Sequence, residues 1–239
     1  MLNLLRGDCL DLMQSIPDNS IDMVLCDPPY GTTQCKWDSI IPFEPMWEQL
    51  KRITKDNGAI CLFGSEPFSS HLRLSNLKMF KYDWVWDKVS ISDPFMAKKR
   101  PLSNNEIVSV FYLKQCLYRP IMTTGKKWHR GGKREHSTES KGNSVLINNG
   151  SDKTSLKYPK KIIKFSSANK VKNVHPTQKP VALLEYLIKT YTLENETVLD
   201  FTMGSGSTGV AAKNLNRKFI GIEQEQKYFD IAKERINGE

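Results

Sequence analysis

The sequence predicts an α/β protein built on a mostly parallel sheet, interrupted by a loop-rich basic insertion. Short apolar runs alternate with amphipathic stretches over residues 1–113, as repeated strand–helix–strand units require. The same alternation returns over 173–239. Between them, residues 114–172 lose it, and hold Gly125, Gly131, Gly132, Gly142 and Gly150, many Lys and Ser, and little periodicity. At 239 residues the chain has room for one large domain, or for one domain carrying a sizeable insertion.

The elements follow in order. Leu2–Leu5 opens as a strand, and Leu10, Met13 and Ile16 then recur at helical spacing. Met23–Cys26 is a continuous apolar strand, and Met46, Leu50 and Ile53 mark a second helix. Ala59–Phe63, Trp84–Trp86 and Ile107–Leu113 complete the strands of the first zone. In the middle zone only Val145–Ile147 and Lys161–Phe165 are strand-like. Pro180 opens a helix, because a first helical turn leaves its N–H groups unpaired and proline has none to lose. The apolar face of that helix is Leu184, Leu187, Ile188 and Tyr191. Thr197–Asp200 is a strand, a helix starts at about Gly209, and Phe219–Ile222 is the last strand. A final helix, Glu225–Ile236, buries Tyr228/Phe229, Ala232 and Ile236.

Composition excludes several classes. With 39% apolar and 26% charged residues, wholesale disorder is ruled out. No run of about 18 apolar residues exists, so no membrane-spanning helix and no membrane partner are expected. Arg6, Asp8 and Asp11 interrupt any signal-peptide core. Cys9, Cys26, Cys35, Cys61 and Cys116 are scattered, without a closely spaced pair. That argues against a disulfide framework or a metal site, and for a reducing, cytoplasmic location.

The net charge of +9 is unevenly placed. Residues 114–172 carry 15 Lys/Arg against three acids (Glu135, Glu139, Asp152), a balance of +12, so the rest of the chain stands at −3. Tyr118, Trp128, Tyr158 and Phe165 are interleaved with these cations. Two readings stay open, a surface for a polyanion such as nucleic acid, and a solvated loop.

Two turns carry chemistry. In Val198-Leu-Asp-Phe-Thr-Met-Gly-Ser-Gly-Ser-Thr-Gly209, a strand runs into a glycine turn and a helix, with Gly204, Gly206 and Gly209 at dinucleotide-fingerprint spacing. Glu223 closes the next strand, where a carboxylate can accept both hydroxyls of a ribose. The loop alone fits S-adenosylmethionine, with Asp200 facing its ammonium. It also fits a nicotinamide or flavin nucleotide, or a plain helix-start turn. The second turn is Asp27-Pro28-Pro29-Tyr30, ending an apolar strand. Its prolines stop the strand and stiffen the turn. Asp27 and the Pro28 carbonyl then offer two acceptors beside the flat face of Tyr30, which suits an exocyclic amine on an aromatic base. Accepting both N–H bonds frees the amine's delocalised lone pair for in-line attack on a methyl carbon. The competing reading is a β-turn with a surface acid.

Asp27–Tyr30, His175-Pro-Thr-Gln-Lys-Pro180 and Asp200–Gly209 together, in this order, resemble the β class of amino-group DNA methyltransferases. The resemblance covers residues 1–113 and 173–239. It implies a circularly permuted, Rossmann-like, seven-stranded and mostly parallel sheet with helices on both faces, in which Leu2–Leu5 follows the last helix in unpermuted order. It makes 114–172 the target-recognition region. It implies S-adenosylmethionine as cofactor and double-stranded DNA as partner, with the target base flipped out and stacked on Tyr30. It implies Asp27, Pro28, Pro29 and Tyr30 as the catalytic turn. The cofactor would be held by Asp200, Phe201, Gly204, Ser205, Gly206, Ser207, Thr208 and Glu223, by Asp8 and Cys9 at its adenine, and by Lys179 at its methionine carboxylate. His175 reads as structural, and Ser207 stands where Thr is commoner.

An Asp in first position is typical of adenine-N6 enzymes, whereas cytosine-N4 members more often have Ser. Adenine is therefore the expected target, with cytosine-N4 transfer as the alternative and a non-catalytic DNA-binding protein as a more distant one. Family members are often homodimers, so a second copy of the chain is a candidate partner; a cognate restriction endonuclease is another candidate, and the sequence does not decide between a paired and a solitary enzyme. Arg130, Arg134 and Asn143 are candidate base-reading residues, and Lys98-Lys-Arg100 with Asn104 and Asn105 forms a candidate second contact zone.

Overall fold

The computed structural model describes residues 2–32, 38–92, 94–125, 156–167 and 178–238. The chain divides into two compact units, Met1–Arg119 with Lys160–Glu239, and Pro120–Pro159.

The larger unit begins with β1 (Leu2–Arg6), α1 (Cys9–Met13), β2 (Ile21–Cys26), α2 (Phe43–Ile53), β3 (Thr54–Gly64), α3 (Phe68–Ser75), β4 (Phe80–Ser92) and β5 (Ser103–Phe111). In the smaller unit, β6 (Thr123–Thr124) pairs antiparallel with β7 (Leu156–Lys157). The larger unit resumes with β8 (Ile162–Lys164), α4 (Val181–Tyr191), β9 (Thr197–Asp200), α5 (Ser207–Asn214), β10 (Lys218–Glu223) and α6 (Gln226–Asn237).

One sheet has the order β1-β10-β9-β2-β3-β5-β4-β8. Every neighbouring pair is parallel except the two that β5 makes, so β5 alone runs against the rest. Seven of these strands match the expected sheet, and β1 lies beside β10 as the permuted order requires. The eighth, β8, comes from within 114–172. It sits at the edge because Ile163 is buried against the main core and the Val85 N–H reaches the Lys161 carbonyl. Cys116 is buried in the same core, so the compact boundaries fall inside those read from sequence. The run Val145–Ile147 lies outside the described residues.

The central strands are apolar on both faces, as a sheet covered on both sides demands. On β2, Met23 and Leu25 enter a core shared with α4, α5 and α6, while Val24 and Cys26 enter one shared with α1, α2 and α3. The predicted face of α4 (Leu184, Leu187, Ile188, Tyr191) is buried in full. In α6, Ala232 and Ile236 are buried, while Tyr228 and Phe229 are only half-buried. Helix α3 is the one helix of the described residues that periodicity does not announce; two turns anchored by Phe68 and Leu72 are too short to reveal a period. No helix among the described residues is long and apolar enough to cross a membrane.

Candidate active site

β2 and β9 are parallel neighbours, but their outgoing connections diverge. From β9 the chain passes through α5 to β10 on one side, and from β2 it passes through α2 to β3 on the other. Such a divergence opens a crevice beyond the carboxyl ends of the strands. Asp27 follows β2 there, Asp200 ends β9, Glu223 ends β10, and Asp8 follows β1.

The turn after β2 is held by an acid that the sequence did not single out. Buried Asp38 accepts hydrogen bonds from the Tyr30 and Gly31 N–H groups at Oδ1 (2.8 and 2.9 Å) and from Thr32 N–H at Oδ2 (2.9 Å). Tyr30 stacks on Phe68 at the start of α3, with ring centroids 5.0 Å apart and 26° between planes. Its hydroxyl donates to Asp27 Oδ1 at 2.5 Å. Burial, then the Asp27 carboxylate, hold the phenol pKa well above its ordinary value, so Tyr30 stays a donor.

Asp27 Oδ2 is paired with the Lys179 ammonium, which is only 8% exposed. Lys179 also faces Glu106 Oε2 at 3.3 Å, and Glu106 Oε1 pairs with Lys88 Nζ at 2.8 Å. Four alternating charges thus run from the Asp-Pro-Pro-Tyr turn into β5 and β4. Burial pulls the Lys179 pKa down, but Asp27 and Glu106 outweigh it and hold it up at about 12. Burial pushes Asp27 above the usual carboxylate range, with Lys179 opposing. Burial would raise Glu106 too, but Lys179 and Lys88 hold it below its ordinary value. The expectation for Lys179 was a cofactor carboxylate; in the structure its charge is committed to two acids of the protein.

Thr202 joins this turn to the glycine loop. Its hydroxyl donates to the Asp27 backbone carbonyl (3.0 Å) and lies 2.9 Å from Cys26 Sγ, while its N–H donates to Asp200 Oδ1 (3.2 Å). Asp200 is buried, and burial lifts its carboxyl to about 6, against hydrogen bonds from Thr208 and Cys26. Glu223 accepts from Gly204 N–H (2.9 Å) and Glu225 N–H (2.8 Å), which aims its carboxylate over the loop. Burial raises its pKa above the ordinary value.

Gly204 and Gly206 adopt φ of 51° and 78°, left-handed values that glycine takes without strain. Gly206 also lies so close to α6 that a Cβ would stand 2.9 Å from the Ala232 Cβ. Ser205 and Ser207 are buried and face Arg235 of α6, with Arg235 Nη1 donating to Ser205 Oγ at 2.8 Å. Phe201 is buried in the core on the α1–α3 side. Asp8 caps α1 by accepting from Leu10 N–H at 2.8 Å. Beside it, burial and then Asp8 push the Cys9 thiol up to about 12. The structure therefore brings together Asp27, Tyr30, Lys179, Asp200 and Thr208, and turns Ser205, Gly206 and Ser207 toward α6. Asp38, Glu106, Lys88 and Thr202 are additions to the sequence-predicted set. His175, Arg130, Arg134 and Asn143 lie outside the described residues.

Comparison with known proteins gives this geometry a family. The chain is 31% identical to the type II methyltransferase M2.LlaDCHI of Lactococcus lactis subsp. cremoris, over 98% of this chain and 88% of that protein. The crystal structure of an M1.HpyAVI–SAM complex superimposes with a TM-score of 0.67 and 26% identity, covering 99% of this chain and all of that one. The cytosine-N4-specific PvuII DNA methyltransferase shares the fold at TM-score 0.66 and 18% identity, covering 100% of this chain and 93% of that one. A DNA methylase family model matches residues 21–234. The chain is a member of the N6/N4 DNA methylase family.

Proposed function

We propose that the chain transfers a methyl group from S-adenosylmethionine to the N6 amine of an adenine flipped out of double-stranded DNA. The observation that carries this reading is the Thr202 hydrogen bond to the Asp27 carbonyl, because it locks the amine-gripping turn against the glycine loop. The residues present fit the cofactor. Asp200 and Glu223 offer carboxylates at neighbouring strand ends to a cationic group and a ribose diol, and Gly204 supplies the tight turn between them. When bound, S-adenosylmethionine supplies an electrophilic methyl carbon on positively charged sulfur.

The remaining work belongs to the chain. Asp27 Oδ1 already accepts from Tyr30, but a carboxylate oxygen has a second lone pair, and an amine N–H can take it. The Pro28 carbonyl accepts the other N–H, and the Tyr30 ring, backed by Phe68, stacks on the base. Lys179 keeps Asp27 anionic while positive charge develops on the amine nitrogen. Asp8 and Cys9 would hold the cofactor's adenine, and Phe201 and Thr208 would sit beside the cofactor. Ser205, Gly206 and Ser207 act through the shape they give the loop. Pro29 fixes the turn. Residues 114–172 supply cations for the DNA backbone, and a companion endonuclease and homodimerisation belong to the same reading.

Adenine rather than cytosine rests on Asp27 in first position. Mass spectrometry of nucleosides from DNA treated with the chain tests it: N6-methyladenine is expected, and N4-methylcytosine would transfer the reading to the other base. Asp27→Ala should abolish methyl transfer while cofactor binding, read by calorimetry, persists. Full activity in that variant would remove Asp27 from the mechanism.

A further inference from the structure

We propose that the tip of the β4–β5 hairpin is a duplex wedge, in which Phe95 fills the gap an extruded base leaves in the DNA stack and Lys98 and Lys99 hold the flanking phosphates. The inference rests on the DNA methyltransferase reading above, and adds to it a contact surface outside residues 120–159.

Topology sets the position. Because β5 alone runs against the sheet, β4 leaves and β5 returns at the edge that carries Asp27, Asp200 and Glu223. The Trp86–Glu106 pairing marks the level at which Glu106 meets Lys179. Pairing continues to Ser92–Ser103, and the turn lies beyond it. At about 3.3 Å per residue, the three steps from Glu106 to Ser103 put the base of the tip about 10 Å past the charge cluster. Such a projection reaches from a flipped base back toward the duplex it left.

The chemistry at the tip points the same way. Phe95 is 94% exposed, and Val89 and Ile91 on the same hairpin are 65% and 56% exposed. The turn Asp93-Pro-Phe-Met-Ala-Lys-Lys-Arg-Pro-Leu102 holds three cations, Lys98, Lys99 and Arg100, against one acid, Asp93. A phenyl ring kept in water among cations matches a stack of bases between phosphates, and apolar wedges of this kind enter base steps. The tip is also a built structure. Pro94–Met96 forms a 3-10 turn, the Lys99 and Arg100 N–H groups donate to the Met96 carbonyl (2.8 and 3.0 Å), and Ser167 N–H braces the hairpin at the Lys88 carbonyl (3.3 Å). A ring held this way compensates part of the unstacking that flipping costs, which is a few kcal/mol in general.

The test uses the whole chain and duplex oligonucleotides carrying the site located by sequencing its methylated bases. One duplex has a normal partner opposite the target, and the other has an abasic position there, so that extrusion is already easy. Phe95→Ala should lower kcat/KM about tenfold on the paired duplex and less than about twofold on the abasic one. The double variant Lys98→Ala/Lys99→Ala should reduce the slope of log affinity against log salt by about 2. An unchanged thermal midpoint checks that the exposed substitutions leave the fold intact. Wild-type activity with equal effects of Phe95→Ala on both duplexes, or none, overturns the wedge alone. A wild-type chain that methylates neither duplex overturns the functional reading and the wedge with it.

Discussion

Replacing Lys179 with Met removes the cation that lies between two acids and keeps the apolar stem. Glu106 at 3.3 Å alone corresponds to about 5 kcal/mol of attraction at an effective dielectric of about 20, before desolvation is subtracted. Breaking a buried pair by deleting one partner costs about 3–5 kcal/mol. The Asp27 side chain is 23% exposed, and that residual water holds the effect to the lower end, about 3 kcal/mol. Without the cation that opposes burial, the Asp27 carboxyl rises further above the usual carboxylate range. The acid limb of the pH–rate profile for methyl transfer should move to higher pH. The rate should fall on the acid side of the profile and recover as pH rises. Stability follows with a definite sign. A carboxyl whose folded pKa is raised stabilises below its unfolded value and loses that contribution as pH rises through the folded value. The denaturation midpoint of Lys179→Met should therefore fall further below wild type as pH rises above about 4. Lys179→Arg keeps the charge and should restore the limb. A uniformly lower rate with an unmoved limb, or a higher KM for the cofactor alone, would refute this role and return Lys179 to the cofactor's carboxylate.

Three further outcomes are expected. Asp200, lifted to about 6 by burial, should lose its proton when a cationic cofactor binds; calorimetry at pH 6 in buffers of different ionisation enthalpy should detect about half a proton released. In the free protein the same shift favours the fold below the unfolded value of 3.8, and that gain is lost as pH rises through about 6. Glu223→Gln should weaken cofactor binding by about 1–3 kcal/mol, read as Kd, and unchanged affinity would remove it from the ribose. Asp38→Ala strips the acceptor from three backbone N–H groups and should cost about 1.5–3 kcal/mol in urea unfolding, with a lower kcat as Tyr30 loosens.

What is legible in the sequence is what a single turn contains. Asp27–Tyr30 and Asp200–Gly209 each fit within one strand end and its loop, so local spacing exposes them. Lys179 is visible for the same reason, but its partners are not. Glu106 and Lys88 meet only through the antiparallel β4–β5 register, and Lys179 arrives from a segment 152 residues beyond Asp27. Asp38 reads as an ordinary loop acid until its carboxylate is seen to gather three N–H groups. β8 has the strand-like pattern of a surface module, and nothing local reveals that its Ile163 completes the edge of the main sheet. The fold is carried by repeated short-range patterns, whereas the charge chain is carried by register, which the sequence does not print.

The Thr202–Asp27 hydrogen bond spans 175 positions. A ribosome-bound fragment ending before β9 owns the proline turn but lacks the strand that lies against β2 to finish the pocket. Long-range closure of this kind comes late, after the local pieces have formed. The pocket is therefore completed in one step, when β9 comes to lie against β2.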